Sequence, residues 1–172
     1  MKKPMKTTVQ LTRRRTALVL MGSLLASGCG FHLRGSANVP FKTMFLNVNE
    51  ASGLGNELRR NLRAASDVKI VDTPEAAEGI FDLIAETREK EILSINSAGR
   101  AREYTLRYRV RYRVHDGHGR EFIASSELSL KRDISFNEDA LLAKESEEAL
   151  LYRDMQTDMV QQILRRLSII QL

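Results

Sequence analysis

Cysteine is nearly absent from this chain: the only one of 172 residues is Cys29. A lone thiol cannot form a disulfide within the chain, so the fold must rest on its apolar core. Enzyme signatures are missing as well. There is no nucleophile elbow, phosphate-binding glycine loop, dinucleotide fingerprint or paired metal-ligand helix. Repeats, heptad runs and low-complexity tracts are also lacking, which excludes solenoids, coiled coils and disordered arrays. No apolar run approaches the roughly 20 residues of a spanning helix. The longest, from Thr16 to Ala26, is about half that length.

That short run explains the cysteine. Lys2, Lys3, Lys6, Arg13, Arg14 and Arg15 precede it without an acid, and Ala26-Ser27-Gly28 follow it. A basic segment, an apolar segment and small residues make an export signal. A cysteine directly after the small residues marks the lipoprotein type, with residues 1–28 removed and the Cys29 thiol as lipid acceptor. The general secretion route is expected, because Thr16 stands where a twin-arginine signal places a hydrophobic residue. More than one acyl chain gives stable anchoring. No other cofactor is expected: the covalent group is an S-diacylglycerol and an N-acyl chain on Cys29.

Removing the signal changes the charge. The chain has 27 basic and 22 acidic residues; losing six basic residues and no acid leaves 21 against 22, a net charge of −1. The pI near 9.6 therefore describes the export signal. It gives no support to nucleic-acid binding, which needs a basic patch on the folded domain.

Residues 29–41 are expected to be a linker and 42–172 a single domain with one core. Thr43 to Asn49 alternates as a strand. Leu54, Leu58, Leu62 and Ala65 recur at helical spacing, with Arg59, Arg60 and Arg63 opposite. Val68 to Val71 predicts a short strand and Ile80 to Leu93 a long one, with Phe81, Leu83 and Ala85 inward. Glu103 to Val114 alternates strictly. Its even positions from Tyr104 to Val114 are apolar or aromatic, and its odd positions are Glu103, Thr105, Arg107, Arg109, Arg111 and Arg113. His115 to Gly119 is a turn, and Arg120 to Asp133 returns as a strand with Phe122, Ala124, Leu128 and Leu130 on one face. Opposite charges favour a register that pairs Arg113 with Glu121, Arg107 with Glu127 and Glu103 with Lys131. It also sets Tyr112 on Phe122, Tyr104 on Leu130 and Leu106 on Leu128. Asn137 is the expected cap of a last helix, with Glu138 and Asp139 in its first turn. Tyr152, Met155, Met159, Ile163 and Leu167 form its buried stripe. The order predicts an α+β two-layer fold: two helices on one face of a roughly four-stranded, mostly antiparallel sheet, with the arginines on the other face.

The first mature residues, Cys29-Gly30-Phe31-His32-Leu33-Arg34-Gly35, closely resemble the start of the LptE family, lipopolysaccharide-assembly lipoproteins of the Gram-negative outer membrane. The resemblance continues through Gly99 to Tyr104, Leu142-Ala143-Lys144 and Gln162 to Leu167, and covers 29–172. It implies the same α+β fold and no catalytic role. It implies a lipid anchor at the periplasmic face of the outer membrane, since Gly30 is not the aspartate that retains lipoproteins in the inner membrane. It also implies a one-to-one partnership with an LptD-like β-barrel, which the protein plugs and helps assemble, and contact with lipopolysaccharide.

Lipopolysaccharide carries phosphates, and arginine matches them with paired, charge-assisted hydrogen bonds. The candidates are Arg100, Arg102, Arg107, Arg109, Arg111, Arg113 and Lys144. Lys144 falls on a basic position of the family's Leu-Ala-Lys stretch; a second basic position falls near Ser97, where Arg100 is the nearest substitute. The arginine row has two other readings, a solvated face tied to Glu121 and Glu127, or a face pressed against acids of a barrel lumen. The His115-Asp116-Gly117-His118 stretch offers metal-type ligands, yet turn chemistry accounts for it. Two other functions remain beside the plug: a free-standing periplasmic lipid-binding lipoprotein with no barrel partner, and an enzyme whose site converges from loops.

Overall fold

The computed structural model describes residues 39–65, 67–137 and 140–172. The export signal, Cys29 and most of the expected linker lie outside the described residues, as do Glu138 and Asp139. Strand β1 (Thr43–Asn47) leads to helix α1 (Gly53–Ala65) and strand β2 (Lys69–Val71). A 3-10 turn at Pro74–Ala76 follows. Three long strands come next, β3 (Gly79–Ile95), β4 (Ala101–His115) and β5 (Glu121–Ser135), and then helix α2 (Leu141–Ser168).

The sheet has five strands in the order β2-β1-β3-β4-β5, one more than expected because the three-residue β2 joins as an edge. β1 pairs in parallel with β2 and β3. The β3–β4 and β4–β5 pairs are antiparallel. Both helices cover one face, and the two-layer α+β fold is as expected. Alternation along β4 buries Leu106, Tyr108, Val110, Tyr112 and Val114. Against them lie Leu54, Leu58 and Leu62 of α1 and Met155, Met159, Ile163 and Leu167 of α2. Val39 and Phe41, on the linker side of the expected boundary, are also buried in this core.

Three local expectations fail. The first is the β4–β5 register. The structure pairs Arg107 with Lys131, Arg111 with Glu127 and Glu103 with Ser135; His115 rather than Arg113 faces Glu121. Two register shifts between Tyr112 and His115 give β5 extra residues there, as β-bulges do. Tyr112 therefore meets Ser126 rather than Phe122, Tyr104 meets Ile134, and Leu106 meets Arg132. The charges assumed to fix the hairpin are used elsewhere: Arg107 and Arg113 pair with acids on β3. The second is the phase of β3. A bulge between Leu83 and Ala85 turns Ala85 outward and brings Glu86, Arg88 and Lys90 to the helix side. The third is the start of α2. The α-helix starts at Leu141 with Ala140 as its flanking residue, three places after the expected cap Asn137.

Gly55 shows how closely the layers meet. A Cβ there would lie 2.8 Å from Val48 Cγ2 and 2.9 Å from Val48 Cβ. Alanine gains about 1 kcal/mol over glycine inside a helix, but Val48 is stiff and overpacking costs about 1–3 kcal/mol. Gly55→Ala is expected to lower stability, and adding Val48→Ala should recover only part of the loss, since it removes the Cγ2 contact and keeps the Cβ one; urea unfolding of both variants measures the balance.

Candidate functional site

The basic residues form three groups. On the sheet face away from the helices, β4 presents a row of arginines to acids on β3. Arg107 reaches Glu91 at 3.1 Å, Arg109 pairs with Glu89, and Arg113 Nε donates to Asp82 at 2.7 Å. Arg111 faces Ala85 on β3 and Glu127 on β5. It is exposed and makes no ion pair among the described residues. The row is thus largely neutralised within the sheet, by β3 rather than by the expected Glu121 and Glu127.

Asp82 is the node of this face and its most buried ionisable group. Its Oδ1 accepts from Asn47 Nδ2 at 2.8 Å, and its Oδ2 accepts from Arg113. His115 Nε2 lies 3.0 Å from the same Oδ2. Gly117 N–H donates to His115 Nδ1, so the proton on a neutral ring sits on Nε2 and points at Asp82. Burial alone raises the Asp82 pKa; the hydrogen bonds from Asn47, Arg113 and His115, with the Arg113 charge, outweigh it and hold the carboxyl below its usual range. One side chain thereby ties β1, β3 and β4 together.

The second group is the β3–β4 hairpin tip, with Arg102 exposed on the return strand and Arg100 in the turn. That turn is shaped by Asn96, whose side chain accepts from the Ala98 and Arg100 N–H groups, and by Gly99 at φ 74°. Ser97 stands in the same turn.

The third group lies on the helix side. Lys144, in the first turn of α2, donates to Ser135 Oγ at 3.1 Å and Glu147 Oε2 at 2.8 Å. With Lys90, Tyr104, Phe136 and Leu141 it lines a depression of about 60 Å³. Beside it a cleft of about 720 Å³ runs along α2, lined by Arg88, Lys90, Glu145, Glu148, Tyr152 and Arg153 among others. Lys90 pairs with Glu148 at 2.6 Å and lies 4.4 Å from the centre of the Tyr104 ring. Arg88 stands over Tyr108 and Tyr152, an arrangement that favours a cation over an aromatic face. Arg88 and Lys90 escape a sequence reading because unbroken alternation from Phe81 places them on the other face; only the bulge brings them here. Lys144 is separated from Arg107 and Arg109 by the sheet itself.

The 115–118 turn is occupied with its own backbone. Asp116 Oδ1 accepts from the His118 and Arg120 N–H groups at 2.7 and 3.0 Å. These bonds hold its carboxyl below the usual range. Among the described residues no three His, Cys, Asp or Glu side chains gather to hold a metal. No described helix is long and apolar enough to cross a membrane.

Comparison with known proteins follows the same outline. The family model for LptE, described as lipopolysaccharide-assembly, matches residues 41–167. The chain is 31% identical over 163 residues to the LPS-assembly lipoprotein LptE of Pectobacterium atrosepticum, covering 91% of this chain and 86% of that one. It is 31% identical over 165 residues to its namesake in Yersinia enterocolitica, covering 92% and 78%. Among solved structures, it is similar to an uncharacterized lipoprotein B from Nitrosomonas europaea, with TM-score 0.70, 38% identity and coverage of 81% and 90%. The rare lipoprotein B of Shewanella oneidensis matches with TM-score 0.63, 29% identity and coverage of 72% and 91%.

Proposed function

This chain belongs to the LptE family, and from that membership we infer that it plugs and helps assemble an LptD-like outer-membrane β-barrel at one-to-one stoichiometry. Membership makes it a lipoprotein of lipopolysaccharide assembly and an accessory protein, not an enzyme. In this reading Cys29 carries the S-diacylglycerol and N-acyl chains and holds the domain at the periplasmic face of the outer membrane. Lys144, Arg100 and Arg102 contact lipopolysaccharide, and Arg107 and Arg109 are secondary candidates.

The observation that carries the plug reading is the self-neutralised flank. Large barrel lumens are polar and water-filled. A body that fills one needs a charged surface without a strong net field. Here the ladder of Arg107, Arg109 and Arg113 with Glu91, Glu89 and Asp82 supplies charge in matched pairs. The mature chain as a whole is within one charge of neutral. The same pairing argues against Arg107 and Arg109 as main phosphate ligands, because a phosphate there must displace a carboxylate already in place. Lys144 is also paired, with Glu147, and it adjoins the depression beside α2.

Affinity purification of the full-length lipoprotein from mild-detergent outer-membrane extracts tests the reading. A single large β-barrel at equal stoichiometry is expected. A protein that purifies alone, or with lipid only, would overturn it.

A further inference from the structure

β5 ends the sheet. Among the described residues it pairs with β4 alone, so along its outer side the backbone N–H and C=O groups of a 15-residue strand have no strand partner. Such an edge is a ready template for another strand. Its ladder with β4 runs without a shift from Ser126 to Ser135, which leaves a regular stretch for pairing. The other open edge, β3 beyond Asp82, is guarded. Glu86, Arg88, Glu89, Lys90 and Glu91 crowd it, and the Tyr152 hydroxyl of α2 donates to the Glu89 carbonyl at 2.7 Å. β5 contains no proline, and no charge from Leu128 to Leu130.

Two charges on this edge also lack a counterpart. Glu127 and Lys131 lie on the arginine side of the sheet, opposite Arg111 and Arg107. Both are exposed, and neither makes an ion pair among the described residues. Arg107 is held by Glu91; Lys131, set against the same guanidinium, has no acid. A second copy of the strand supplies both missing partners. A two-fold axis normal to the sheet sets two β5 strands side by side and antiparallel, the self-complementary contact of a symmetric dimer. It opposes only residues of like parity, because successive side chains alternate faces. The charges then choose the axis. At Glu127 or Lys131 it opposes that residue to its own copy, at Leu130 it sets Glu127 against Asp133, and at Leu128 it opposes no charges. At Ser129 it pairs Glu127 with Lys131, Leu128 with Leu130 and Ser126 with Arg132, each on both sides of the axis.

We propose that β5 is a self-association edge: two copies of the domain join antiparallel through β5 about Ser129, with Glu127 of each chain on Lys131 of the other, and the two sheets continue as one. The charge pairs select the register, and the backbone ladder with the Leu128–Leu130 contacts holds it. This goes beyond the plug reading, since it describes the protein outside a barrel. A reversible dimer covers an edge that would otherwise recruit unrelated strands, and it parts when a barrel takes up one domain.

Cysteine crosslinking of the full-length lipoprotein in membranes, expressed in excess of the barrel, tests it. Opposed residues of an antiparallel pair have Cα atoms about 4.5–5.5 Å apart, within disulfide range. Ser129→Cys should give a disulfide-linked dimer at least fivefold above the wild type. It should exceed Ser125→Cys by the same factor, because the two copies of that position would stand about 27 Å apart. Adding Lys131→Glu to Ser129→Cys opposes two acids and should cut the dimer at least fivefold. Lys131→Glu also relieves the contact with Arg107, so a folding defect is not the expected cause. The swap Glu127→Lys, Lys131→Glu keeps the composition and should return the dimer to within twofold. Absence of a Ser129→Cys dimer, equal crosslinking at 125 and 129, a swap that fails to restore it, or an adduct with another polypeptide overturns the proposal. Co-purification of the barrel with the same variants reads the plug separately.

Discussion

Replacing Asp82 with alanine will destabilise the domain by about 2–4 kcal/mol, among the larger single losses available on its polar surface. The carboxylate serves three donors from two neighbouring strands, Asn47 on β1 and Arg113 and His115 on β4. Removing it leaves His115 Nε2 without its acceptor in a shielded place, while Asn47, at an exposed position, turns its amide to water. Arg113 is nearly half exposed and recovers part of its loss in water, which keeps the figure below that of a fully buried pair. The site also joins the parallel edge of the sheet to its antiparallel half, so opening it exposes the β1–β3 junction. Calorimetry of Asp82→Ala beside Arg113→Ala separates the parts: the arginine variant should lose less, because Asn47 and His115 still hold the carboxylate.

The pH dependence follows with its sign fixed. Asp82 has a folded pKa below its unfolded value, so the unfolded chain binds its proton more readily. Its contribution is complete above the unfolded value of about 4 and disappears as pH falls through the lower, folded one. The stability gap between the wild type and Asp82→Asn should be full at neutral pH and shrink only below about pH 4. A gap that stayed constant to pH 2 would mean that the amide disrupts packing and that charge is not what Asp82 supplies.

What a sequence shows of this fold depends on whether a signal is local. The twelve-residue alternation of β4 needs nothing beyond itself, and all its even positions from Leu106 to Val114 are buried. The stripe Tyr152, Met155, Met159, Ile163 and Leu167 behaves the same way in α2. Pairing between strands is not local. Arg107 has Lys131 directly opposite on β5, a like-charge contact that β5 alone would avoid. The contact is tolerated because Glu91 on the other side holds the guanidinium. A hairpin read two strands at a time cannot contain that third strand. The β3 bulge is hidden for a related reason: Leu83-Ile84-Ala85 is apolar throughout, so nothing in it marks where the pleat changes phase. That one residue decides whether Arg88 and Lys90 belong to the arginine face or to the cleft beneath α2. The candidate site was accordingly legible as a set of cations but not as a geometry, since the same sequence spacing places Lys144 and Arg107 on opposite sides of a sheet.

Replacing Cys29 with alanine, behind an ordinary cleavable export signal, is expected to have the largest effect on location and to separate the anchor from the plug. A single saturated chain gives only marginal, reversible membrane binding, whereas several chains on one cysteine hold a protein stably. Without them no described helix is long and apolar enough to cross a membrane. In cells depleted of the barrel, the variant should move to the soluble periplasmic fraction essentially completely. In cells that contain it, the plug reading expects a large share to remain with the outer membrane, held through the paired flank of the domain independently of the anchor. Fractionation under both conditions therefore gives two distinct patterns. Full release in both would mean that the lipid is the only attachment and would remove the plug. Retention in both would mean that the membrane is bound through the domain itself, and would make the exposed Ile92, Leu93 and Ile95 at the end of β3 the first surface to alter.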